Sequence, residues 1–229
     1  MGKLVSMIAG MMMWLTFFAT TALAQSSGNF AADIQTAQCA LSASDGTLSG
    51  GSTKQVFSTT IKTPNSGQTT LLITPALLTG LYTNSYITTV EPTHSESAAV
   101  VVSVLFDGNP VAPETSDHPD VTYDNHYQQI STQLFSQLSE CRDSSNPKCD
   151  FSLIQSTLSV HSFNFIVPDP GVGTHTIDVT WRLECTKDGQ AVDCSNTPTQ
   201  NSAGACVGPG SLIVQQVKAF SQSGGITMQ

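Results

Sequence analysis

The sequence predicts an all-β chain folded as an antiparallel β-sandwich. Three observations carry this. Residues 54–62 and 174–185 alternate apolar and polar side chains with a period of two, residues 98–106 form a continuous β-branched apolar run, and Pro, Gly, Asn and Asp gather between these segments.

The chain opens with MGKLVSMIAGMMMWLTFFATTALAQ, which has the form of a secretory signal peptide. Lys3 supplies the positive start, Leu4 to Phe18 is almost wholly apolar, and Ala22-Leu23-Ala24 is a small-x-small cleavage site. An apolar core of about 15 residues is shorter than the roughly 20 that a spanning helix needs. The expectation is therefore cleavage after Ala24, a secreted or periplasmic protein and no membrane span. The domain plan is 1–24 signal peptide, 25–37 flexible leader, 38–220 one β-sandwich domain and 221–229 polar tail.

In KQVFSTTIK (54–62), Phe57, Thr59 and Ile61 share one face and Val56, Ser58 and Thr60 the other. Thr70–Thr74 reads as a short strand ended by Pro75, and Tyr86–Val90 as another. AAVVVSVLF (98–106) has no polar face, as expected of a central strand buried on both sides. Asp107-Gly108-Asn109-Pro110 then predicts a tight hairpin turn. From Tyr127 the apolar positions (Ile130, Leu134, Phe135, Leu138, Cys141) step by three or four, which predicts a short helical excursion around 127–160.

HSFNFIV and THTIDVTWRLEC flank the Pro/Gly-rich corner Pro168–Gly173 and read as two paired strands, each with one histidine. The second puts His175, Ile177, Val179, Trp181 and Leu183 on one face, the cleanest inward/outward alternation in the chain. Residues 186–209 are rich in Gly, Ser and Asn and predict a long loop, with a small hairpin at Lys187-Asp188-Gly189. SLIVQQVKAF (211–220) supplies the closing strand.

All six cysteines follow the signal segment. An even number in an exported chain predicts three disulfides. Cys141–Cys149 closes a turn-like loop; Cys185–Cys194 and Cys39–Cys206 are the favoured remaining pairs. No CxxC spacing points to a thiolate metal site. Charged residues make up 11% of the chain and the net charge is −9, which argues against partners held through phosphates, so nucleic acid is not expected.

Among candidate sites, the densest is SDHPDVTYDNHY, where Asp117, His118, Asp120, Asp124 and His126 offer oxygen and imidazole ligands for a divalent metal. A solvated acidic loop explains the same residues, and the spacing does not match a calcium loop. His161 and His175 are expected as strand residues at the core edge. Tyr82, Tyr86, Tyr123 and Tyr127 offer a patch for carbohydrate stacking. No nucleophile elbow, zinc-helix or phosphate-loop motif occurs, so neither a catalytic residue nor a cofactor is assigned.

Gly173, His175, Ile177 and Val179, in the pattern G-x-H-x-I-x-V after a Pro/Gly corner, resemble the penultimate strands of immunoglobulin-like domains of bacterial secreted and surface proteins. VVVSVLFDGNPV (100–111) is similar to their central strand and turn. The resemblance covers about 98–111 and 161–220, and implies an immunoglobulin-like sandwich with a habit of binding or display. The expected function is a non-catalytic binding, adhesion or structural role toward a protein or carbohydrate ligand, with recognition loops at 112–126 and 186–209. Two alternatives stand beside it. One is a metal-dependent or hydrolytic enzyme using the 117–126 cluster; the other is a self-assembling surface or filament subunit, pairing through an edge strand at SLIVQQVKAF.

Overall fold

The computed structural model describes residues 29–39, 53–64, 69–87, 93–111, 120–131, 151–192, 194 and 202–218. Every regular element among them is a strand: β1 (Phe30–Gln35), β2 (Lys54–Thr63), β3 (Thr69–Ile87), β4 (Thr93–Phe106), β5 (Asn109–Pro110), β6 (Asp120–Ser131), β7 (Phe151–Ser162), β8 (Phe165–Pro168), β9 (Gly173–Lys187), β10 (Gln190–Val192) and β11 (Ser202–Lys218). They form two antiparallel sheets. Sheet A runs β1-β11-β3-β7, with β8 also on β3; sheet B runs β10-β9-β4-β5, with β2 on β9 and β6 on β4.

The inner faces meet in one hydrophobic core. Leu71, Ile73, Leu77 and Leu81 of β3, with Leu212 and Val214 of β11, pack against Val100, Val102 and Val104 of β4 and Ile177 and Val179 of β9. Each such side chain contributes roughly 1.5–3 kcal/mol when fully buried. The alternation in β9 is as the sequence predicts, with His175, Ile177, Val179, Trp181 and Leu183 inward. β4 lies between β9 and β6 and is buried on both faces at Val100–Val104, as its continuous apolar run predicts. The two Asp-Gly turns are also as expected. Asp107-Gly108 and Asp188-Gly189 both have positive φ at each residue, the twist that joins two strands directly.

Several expectations are corrected. The described ends of the 127–160 helical excursion are strand, in β6 and β7; residues 132–150, with Cys141–Cys149, lie outside the described residues. Period two is hidden there because most inward positions are polar: His126 and Gln128 in β6, and Gln155, Thr157 and Ser159 in β7. Pro75 does not end a strand, since β3 continues through it to Ile87. β8 pairs with residues 70–73 and β7 begins pairing at Ala76, so on that side no ladder bond is asked of the missing N–H.

HSFNFIV is broken at 163–164, and its two halves do not pair with THTIDVTWRLEC. β7 and β8 belong to sheet A and β9 to sheet B, so the Pro168–Gly173 corner carries the chain between sheets instead of turning a hairpin.

Much of the predicted 186–209 loop is strand as well: β9 reaches Lys187, β10 follows, and β11 starts at Ser202. A register shift between Val207 and Gly210 interrupts the pattern in β11. Gly208 occupies it with φ +122, and a Cβ there would stand 2.6 Å from the Ala37 carbonyl oxygen. β11 is not an edge strand either; β1 and β3 flank it, and among the described strands the edges of sheet A are β1 on one side and β7 with β8 on the other.

Cys39 is joined to Cys206 and Cys185 to Cys194, the two pairs favoured from the sequence. Disulfides of this kind suit an oxidising compartment.

Candidate functional site

The acidic cluster at 117–126 is divided by a bulge. Along β6, Asp124 pairs with Val100 but Thr122 with Val101, leaving Tyr123 as the extra residue. Residues on either side of it therefore address different faces. Asp120, opposite Ser103, lies on the outer face of sheet B, where it accepts hydrogen bonds from Ser103 Oγ and from Arg182 Nη2 at 2.7 Å. Arg182 also reaches Glu184, and the Asp120 carboxylate is the main influence raising the guanidinium pKa. Asp124 and His126 instead point between the sheets. Asp117 and His118 lie outside the described residues, and among those described no group of three metal-ligating side chains gathers.

The inward half forms a directed relay. Thr157 Oγ1 donates to Asp124 Oδ2 at 2.7 Å, so His126 Nε2, 3.1 Å away, donates to Thr157. His126 Nδ1 lies 3.2 Å from Thr83 Oγ1, which accepts from Gln128 Nε2 at 3.2 Å. Gln128 Nε2 also donates to Gln155 Oε1, while its buried Oε1 has no protein partner. The relay ties β6 to β3 and β7 and replaces apolar packing at this end of the sandwich.

A second constellation, absent from the sequence candidates except for His175, sits at the β4–β5 turn. His175 Nδ1 is 2.8 Å from Asp107 Oδ2 and Nε2 is 3.0 Å from Thr63 Oγ1. Asp107 Oδ1 accepts the Thr176 N–H at 2.8 Å, and its pKa is lowered chiefly by the His175 hydrogen bond and then by that of Thr176. Phe106 stacks on the imidazole with centroids 4.8 Å apart. Carboxylate, imidazole and hydroxyl in this order are the parts of a hydrolytic triad. Here, however, Thr63 is fully buried and its hydroxyl donates to the Gly171 carbonyl at 2.6 Å. A nucleophile needs both access and a free proton path, so this arrangement ties the ends of β2, β4 and β9 to the 168–173 corner. With the Thr63 proton committed, His175 Nε2 donates to Thr63 Oγ1.

His161 also serves locally: Nε2 is 2.6 Å from Ser159 Oγ and the ring packs at a tilt on Tyr123, 6.1 Å between centroids. The three tyrosines with described side chains do not form a patch. Tyr123 is buried, with its hydroxyl donating to the Pro75 carbonyl at 3.0 Å and its pKa raised by desolvation. Tyr127 is exposed on β6, Tyr82 lies on the outer face of sheet A, and the side chain of Tyr86 lies outside the described residues.

The surface that sequence reasoning missed is the outer face of sheet A. Register places Ile154, Leu158 and Val160 of β7, Phe30 and Ile34 of β1, and Ile213 of β11 on it, exposed by 41–74%. Among the described residues of this face there is no Asp, Glu, Lys or Arg. Over 154–160 β7 is inverted, with Ile154, Leu158 and Val160 outward and Gln155, Thr157 and Ser159 inward, and an apolar/polar alternation cannot say which side is which. Compared with known proteins, the chain matches no family model and no curated sequence.

Proposed function

We propose that this chain is an exported, non-catalytic structural subunit with an immunoglobulin-like sandwich, which works by self-association through sheet A. The observation that carries the proposal is the outer face of that sheet, apolar and uncharged in a chain of net charge −9. Acidic copies repel one another wherever charge is displayed, and least across such a face. Exposed apolar surface of this extent marks a contact site.

Two further features support the reading. The Asp/His cluster is parted by the Tyr123 bulge, and the triad-like group has no accessible hydroxyl. Sedimentation velocity of the secreted protein over rising concentration tests the proposal. The expected result is a reversible oligomer that Leu158→Lys with Ile213→Lys converts to a folded monomer; a wild-type monomer at every concentration overturns it.

A further inference from the structure

The self-association proposed above uses the outer face of sheet A; β7 offers a second copy a further contact, at the edge of the same sheet. β7 pairs with β3 on one side, and among the described strands sheet A ends there. Its sequence FSLIQSTLSVHS, twelve residues, contains no Lys, Arg, Asp, Glu or Pro and no register shift on its partner. Natural sheet edges are normally blunted by charge, proline or a bulge, and a long edge with none of them is a template for another strand. The other edge, β1, is half as long with six residues and carries Asp33.

We infer that a second copy of this chain adds to sheet A through β7, antiparallel about a two-fold axis at Thr157. The inference rests on the self-association reading and adds an edge contact that extends the apolar face across two copies. A two-fold contact uses the same patch on both copies. Side chains of a strand alternate between faces, so outward residues meet outward residues only when the axis passes through a residue. At Thr157, Ile154 of one copy stands opposite Val160 of the other, and Ser156 opposite Leu158. The three exposed apolar side chains of β7 thus join those of the second copy in one continuous stripe.

The size is sufficient. Twelve residues run about 40 Å at roughly 3.3 Å each. Across an edge about 20 Å deep, two sheets roughly 10 Å apart with their side chains, this approaches ~800 Å² per copy, the scale of a stable interface.

Cross-linking tests it. Two single variants of the otherwise native, disulfide-intact protein, Ile154→Cys and Val160→Cys, are oxidised separately and as an equimolar mixture. Opposed residues of paired strands lie about 4.5–5.5 Å apart, within disulfide reach. The mixture is expected to give a covalent dimer on a non-reducing gel, with at most a tenth as much from either variant alone. Equal yields in all three, or none while wild type sediments as an oligomer, overturn the β7 register and leave the self-association reading intact. A wild type that is monomeric throughout overturns both. Leu158→Pro, placed in the edge itself, is expected to lower the dimer association constant by at least tenfold with the β-sheet circular dichroism unchanged. If that variant does not fold, the cross-linking pattern still decides.

Discussion

Asp107 and His175, sixty-eight positions apart, meet at 2.8 Å and close the β4–β5 turn onto the start of β9. The contact uses a turn residue whose positive φ, 49°, aims its carboxylate back at the strand, where it also takes the Thr176 N–H. This joint holds the corner by which the chain leaves sheet A for sheet B.

Its pH dependence has a definite sign. The folded-state pKa of Asp107 is lowered, so its ionisation stabilises the fold above the ordinary carboxylate value of about 4 and that stability is lost as pH falls through the lower folded value. The Asp107 side chain is 43% exposed, and the contribution is about 1 kcal/mol or less after solvent screening. Denaturation midpoints of wild type and Asp107→Asn should differ at neutral pH and converge below about pH 4. A difference that stays constant with pH would refute the assignment.

Thr63→Val keeps the shape of the side chain and removes the hydroxyl that serves Gly171 and His175. The expected loss is roughly 1–3 kcal/mol, the cost of leaving buried polar groups unpaired. An unchanged urea midpoint would show that the hydroxyl is not the tie described here.

The relay through His126 predicts a similar contrast at Thr157. Thr157→Val deprives Asp124 of its donor and His126 of its acceptor between the sheets, at an expected cost of roughly 1–3 kcal/mol. Thr157→Ser retains the hydroxyl and should recover most of it. Equal destabilisation by both would mean that packing of the methyl group dominates.

Loop closure ranks the two described disulfides. Cys39–Cys206 spans 167 positions and Cys185–Cys194 spans 9. On the chain-entropy account their removal costs about 5 and about 3 kcal/mol. Replacing each pair by alanine and comparing midpoints tests the order; a larger loss from the short loop would contradict it.

Gly208→Ala forces a Cβ against the Ala37 carbonyl at positive φ, whereas Gly204→Ala meets nothing within 4 Å. The first should cost more than about 1 kcal/mol and the second close to nothing. Thermal melts of the pair would expose an error in the β11 register.

The apolar alternation of β9, the continuous run of β4 and the Asp-Gly turns were legible because each records a local rule: one face buried, both faces buried, or two residues at positive φ. The favoured cysteine pairs followed from similar reasoning about loops. β6 and β7 escaped because their inward residues are mostly polar and find their partners on other strands, Thr83 of β3 among them. Thr83, His126, Thr157 and Asp124 come from three strands, and no window of sequence contains the relay they make.

The sequence by itself thus determined the fold class and the strand faces of the apolar elements, since hydrophobic period and turn chemistry act over a few neighbouring residues. Tertiary structure alone decided three things. The bulge at Tyr123 sends Asp120 to one face and Asp124 and His126 to the other; Asp107 meets His175 and Thr63; and β7 ends sheet A with its apolar side outward. The physical reason is common to all three. A strand's pattern states that its two sides differ, but which side is buried, and beside which strand, is fixed by pairing with segments far away in the chain.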